Sequence, residues 1–102
     1  MKYGKIDLNQ QAIVKTLRAI GCTVQSLADC GKGVPDLLCG YCGKNFLLEI
    51  KQSAKSKLTP HEIAWHDKWR GQAVRIVTNS DEALIAIGAI SGKDIKGIRG
   101  NH

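Results

Sequence analysis

Gly33-Val34-Pro35-Asp36-Leu37-Leu38-Cys39-Gly40-Tyr41-Cys42-Gly43-Lys44-Asn45-Phe46-Leu47-Leu48-Glu49-Ile50-Lys51 decides the reading of this chain. Two apolar runs flank Cys42-Gly43, and an X-Gly pair between such runs is a two-residue hairpin signal. If the chain turns there, positions summing to 85 pair across the hairpin, so Asp36 lies opposite Glu49. Glu49 and Lys51 are two apart, and on a strand such residues share a face. Two carboxylates and an amine are thus brought together by neighbouring strands. Taken alone, Glu-x-Lys is a common tripeptide that reads as an exposed charge pair. Here Phe46-Leu47-Leu48 and Ile50 mark a buried strand, where a lone carboxylate is costly without a metal or a partner.

Phosphodiester hydrolysis needs a positioned water, neutralised phosphate charge and help for the leaving oxygen. Magnesium or manganese supplies all three when held by hard oxygen ligands. Asp36 and Glu49 are the candidate carboxylate ligands, and the Ile50 carbonyl a neutral one between them. A protonated lysine cannot coordinate a metal, so Lys51 is assigned an electrostatic role beside the attacking water. Lys55 and Lys57 follow the carboxylates and Lys32 precedes them in a glycine-flanked loop. These three are the candidate contacts to a phosphate backbone.

Outward from this hairpin the expected order is helix, strand, strand, strand, helix, strand, helix. A first helix is expected from about Asn9 to Ile20, with Ile13, Leu17 and Ile20 on its apolar side beside Ala12 and Val14, and Gly21 as its stop. A short strand follows near Thr23–Leu27. Thr59 suits an N-cap, Pro60 the first helical position and Glu62 the third, as in a capping box. Ala73–Thr78 reads as a strand rich in β-branched residues. Asn79 caps a last helix whose Ala83, Leu84, Ile87 and Ile90 face the core. This order implies an α/β fold with a mixed central sheet flanked by helices.

A length of 102 residues suits one domain, with its core at about 9–90 and a basic, glycine-rich tail at 91–102. The tail's Lys93, Lys96 and Arg99 read as a solvated end. A hydrophobic content of 43% supports an ordinary core, and a net charge of +6 suits a polyanionic partner. No apolar run approaches the ~20 residues of a membrane span. The N-terminus lacks the apolar stretch of a secretory signal. The expected setting is therefore the cytoplasm, with reduced cysteines.

Gly33-Val34-Pro35-Asp36, Leu48-Glu49-Ile50-Lys51, Lys57-Leu58-Thr59-Pro60 and Trp65-His66 together resemble the PD-(D/E)XK nuclease superfamily. More narrowly, they resemble its small phage and bacterial proteins of the VRR-NUC type. The likeness spans about residues 9 to 84 and implies the αβββαβ core of restriction endonucleases. It implies DNA cleavage with Mg2+ or Mn2+, with Asp36 and Glu49 as metal ligands and Lys51 as the catalytic lysine. It also implies a homodimer acting on branched DNA such as Holliday junctions, in the cytoplasm of a bacterial cell or phage-infected host. Two positions depart from the family pattern. Gln10 stands where a first-helix glutamate is common, and Glu62 where a glutamine often follows Thr-Pro. Gln10 retains the capacity to bond a metal-bound water, while Glu62 serves the capping box and, by the resemblance, the site.

Other residues offer a different class of function. Cys39 and Cys42 have zinc-knuckle spacing. Cys22 and Cys30 form no second knuckle, and His61 and His66 lie about 140° apart around a helix. Buried reduced cysteine is the plainer reading of the hairpin pair. A zinc-knuckle nucleic-acid binder and an inactive DNA-binding nuclease fold are the alternatives. Trp65 and Trp69, one turn apart, read as core packing against the sheet, with a dimer contact as the second choice. His66 reads as a helix-surface or interface residue and His102 as a frayed end.

Overall fold

A computed structural model describes residues 5–92. Lys93, Lys96, Arg99 and His102 lie outside the described residues. The elements are α1 (Lys5–Ala19), β1 (Thr23–Ser26), β2 (Leu37–Tyr41), β3 (Lys44–Ile50), α2 (Pro60–Lys68), β4 (Arg75–Val77) and α3 (Ser80–Ala86). The strands form one sheet in the order β1-β2-β3-β4. The first three are antiparallel, and β4 joins β3 in parallel through the α2 crossover. This is the mixed α/β architecture expected from the order of elements.

The hairpin turns at Cys42 (φ 51°) and Gly43 (φ 77°), both left-handed, as a type I′ turn requires. Leu37 pairs with Leu48, Cys39 with Phe46 and Tyr41 with Lys44. The pleat sends Leu37, Cys39, Leu48 and Ile50 to one face. There they join Ile13 and Leu17 of α1, and Ala83 and Ile87 at α3, in the buried core. The other face carries Leu38, Leu47 and Glu49, and α2 crosses it.

Three expectations need adjustment. The first helix starts earlier, at Lys5, and Ile20 is exposed rather than part of its apolar side. Gly21 (φ 89°) ends α1 in a Schellman motif, with Gly21 N–H donating to Arg18 O and Cys22 N–H to Leu17 O. That reversal turns Ile20 outward and delivers buried Cys22 instead. The strand expected over Ala73–Thr78 shortens to Arg75–Val77, and its Ile76 is 50% exposed on the α2 face. Trp65 and Trp69 are not core residues: α2 buries none of its side chains, and the two indoles stack on each other at 4.8 Å.

α2 is nevertheless well started. The Thr59 side chain accepts from Glu62 N–H, and the Glu62 carboxylate accepts from Thr59 N–H. Such caps are worth about 0.5–2 kcal/mol. The loop before Asp36 also leans on this helix start. A Cβ on Gly33 (φ 82°) would collide with the backbone carbonyl of His61. Only glycine allows both that close approach and that dihedral cheaply. Gly33→Ala is therefore expected to lower the urea unfolding midpoint by the equivalent of more than about 1 kcal/mol. An unchanged midpoint would show that the loop and α2 are not packed in this way.

Candidate active site

Extending the hairpin register by one pair sets Asp36 opposite Glu49. Asp36 Oδ2 accepts from the Ile50 N–H at 2.7 Å, and its backbone carbonyl accepts from the Leu27 N–H at 2.9 Å. The aspartate is therefore held at both its main chain and its side chain, with its carboxylate against β3. On an extended strand a residue's N–H and C=O point toward the same neighbour. The Ile50 carbonyl thus faces the same side as Asp36.

Glu49 is only 2% exposed. Burial first, then the charge and hydrogen bond of Asp36, and then the charge of Glu62, push its pKa from 4.5 up to about 9, against a smaller opposing pull from Lys51. Near neutral pH the carboxyl keeps its proton in the absence of a further cation. Lys51 Nζ instead lies 2.6 Å from Glu62 Oε1. Burial of Glu62 acts to raise its pKa, but the Lys51 ammonium and the Thr59 N–H outweigh it, and the net shift is downward. Glu62 is thus an ionised residue that caps α2 and grips Lys51 with the same oxygen.

His66 is not the helix-surface or interface residue that the sequence suggests: its Nε2 lies 3.2 Å from Glu49 Oε1. The distance is that of an ion pair, but the charges are not. Burial lowers the His66 pKa while that of Glu49 rises, so the contact is a hydrogen bond between neutral partners near pH 7. No spacing rule finds this residue, because only the crossing of α2 over β3 aims it at Glu49. Asn9 is a second such residue. Its amide donates to Lys51 O and Thr78 O, tying α1 to the ends of β3 and β4.

The remaining candidates fall around this centre. Gln10 is half-buried and lines a groove with Ser26 and Leu37, beside β2. No hydrogen bond links it to the acidic pair among the described residues. Lys32, Lys55 and Lys57 are exposed on the loops before and after the hairpin. The cysteines stay apart as a metal site. Cys39 is buried and hydrogen-bonds with Cys22, while Cys42 and Cys30 are exposed. Burial, followed by the neighbouring Cys22, pushes the Cys39 thiol up to about 12.

The donor set suits a hard cation. Two adjoining carboxyl groups, one of them buried and otherwise protonated, lack a committed positive partner because Lys51 is held by Glu62. Among the described residues no cluster of three or more His, Cys, Asp or Glu side chains is arranged for a metal. Magnesium needs no such cage, since it is commonly held by one or two carboxylates with waters and substrate phosphate.

The raised pKa has a thermodynamic sign. Between about pH 4.5 and 9 the folded protein binds more protons at Glu49 than the unfolded chain does. The stability this proton confers is complete below pH 4.5 and is lost as pH rises toward 9. Thermal melts in EDTA should show wild-type Tm falling across that window and Glu49→Gln losing much of the slope. Parallel profiles would show that Glu49 is not buried as a neutral acid.

A solved structure described as a VRR_NUC domain is similar to this chain. The TM-score is 0.68 at 28% identity, over 81% of this chain and 96% of that one. No family model and no curated protein matches. With its four-stranded mixed sheet and three helices, the chain has the fold of a VRR_NUC domain, a nuclease fold of the PD-(D/E)XK type.

Proposed function

We propose that this chain is a metal-dependent DNA endonuclease that cuts branched DNA, such as Holliday junctions, as a homodimer. The observation that carries the proposal is the meeting of Asp36 and Glu49 across the hairpin of a nuclease fold, with Lys51 beside them. Asp36 and Glu49, with the Ile50 carbonyl, would hold Mg2+ or Mn2+, which when bound supplies charge neutralisation on the phosphate and activation of water. Lys51 presents its ammonium to the attacking water or the developing phosphate charge. Glu62 fixes that ammonium in place, and His66 orients Glu49 as a hydrogen-bond partner. Lys32, Lys55 and Lys57 offer exposed charges to the backbone on either side. Gln10 is proposed to bond water at the site.

The finer parts rest on separate supports. Selectivity for branch geometry is supported by the resemblance, whose stand-alone members are similar to Holliday junction resolvases. Homodimerisation is supported by the resemblance and by the apolar α2 face, where Leu38 is 38% and Trp69 45% exposed. Among the described residues no helix is long and apolar enough to cross a membrane. A cytoplasmic setting is part of the proposal.

Linear, flapped and four-way DNA should be offered with and without Mg2+ or Mn2+, and the cuts mapped. Asp36→Ala and Glu49→Ala are each expected to lower the cleavage rate by at least about 10²-fold while circular dichroism and DNA binding are retained. Cutting at the wild-type rate by both variants would refute the assigned site. Calorimetry in buffers of different ionisation enthalpy should show about one proton released per metal bound near pH 7, because Glu49 must ionise to ligate. Absence of proton release would remove Glu49 from the ligand set. Light scattering should give a mass of two chains for wild type and one for Trp69→Lys. A monomeric wild type would remove the dimer from the proposal.

A further inference from the structure

Two open clefts of about 600 Å3 flank the sheet, and their linings differ in kind. The cleft beside Trp65 and Trp69 is walled by Leu38, Phe46 and Leu47, with Lys44 as its cationic member. The other lies between α1 and the β1 edge. Lys15 and Arg18 stand on its helical wall, Gln10, Gln11 and Ser26 add amide and hydroxyl groups, and Val24 and Leu37 form an apolar floor. Among the described residues no acid lines it.

The helical wall is continuous. Gln11, Lys15 and Arg18 follow an i, i+4, i+7 spacing, which places them on one ridge of α1. The Arg18 guanidinium donates to Val24 O at 3.1 Å, which sets a fixed positive charge across one end of the groove. Ser26 pairs with Leu37, so one end of the groove reaches the end of the sheet that carries Asp36, on the face opposite the acidic pair.

We infer that this α1–β1 groove binds one strand of the DNA substrate by its phosphate backbone. The inference rests on the nuclease reading and adds a binding surface on the side opposite α2. Phosphate oxygens meet Lys15 and Arg18 and accept from the glutamine amides, while sugar carbons lie on the partly exposed Val14. Among the described residues no aromatic side chain lines the groove, and the contacts inferred are to the backbone rather than to stacked bases. Backbone contacts of this kind position a strand without reading its sequence.

The test is fluorescence anisotropy with a labelled flapped duplex in EDTA, titrated at several salt concentrations. Gln11→Glu and Lys15→Glu both alter exposed helix positions, so circular dichroism should match wild type. Each is expected to weaken binding several-fold, the double variant more, equally on two unrelated sequences. Lys15→Glu should make the salt dependence shallower by about one unit of slope. Lys44→Glu, at the far tip of the hairpin, reverses the same charge outside the groove and should bind as wild type. If the double variant binds like wild type, or if Lys44→Glu loses as much as Lys15→Glu, the groove is not the binding surface and the nuclease reading is untouched. If wild type itself binds no DNA at low salt, both readings fall.

Discussion

The β2–β3 register is the constraint on which the rest depends. Because side chains alternate with a period of two, a slip of one residue would send Glu49 into the α1 core and expel Leu48 and Ile50 from it. The left-handed pair Cys42-Gly43 pins the turn and so prevents this. With the register set, Glu49 must lie on the face that α2 crosses on its way from β3 to the parallel β4. The crossover helix then brings Glu62 and His66 over the same spot. One turn thus selects the neighbours of the acidic pair from both strands and from the helix.

Docking of α2 and assembly of the site are largely the same set of contacts. The helix buries no side chain of its own. It is attached through Lys51–Glu62, through His66–Glu49, and through the backbone of His61 against Gly33. Two of these three involve residues of the proposed catalytic centre. The charge state of Glu49 therefore bears on how firmly the helix sits. A buried acid beside a second carboxylate is a standing cost to folding, and it persists here with its proton or a cation as the relief.

The two faces of the sheet are unequal. α1 and α3 close one face over Leu37, Cys39, Leu48, Ile50 and Val77. The opposite face leaves Leu38, Ile76 and Trp69 partly open to solvent. The polar groove beside α1 and the apolar cleft beside Trp65 follow from this asymmetry. A polyanion is matched by the first and a hydrophobic surface by the second.

Features set within a few residues of one another were legible in the sequence. The hairpin turn, the capping box at Thr59 and the Asn79 cap depend on local backbone geometry, and each appears where the residues indicated. From the turn alone followed the pairing of position 36 with position 49. Hydrophobicity misjudged Ile20, because a Schellman reversal rather than periodicity sets its direction, and it misjudged Trp65 and Trp69, because no layer covers α2. The approach of His66 to Glu49, the grip of Glu62 on Lys51, the Asn9 clip and the need for glycine at 33 all join segments distant along the chain. By itself the sequence determined where the chain turns and which residues share a strand face, since these obey fixed short-range periods. Which side chains meet across the sheet and helix was decided only by tertiary structure, because the path and rotation of a packed helix are set by every contact it makes.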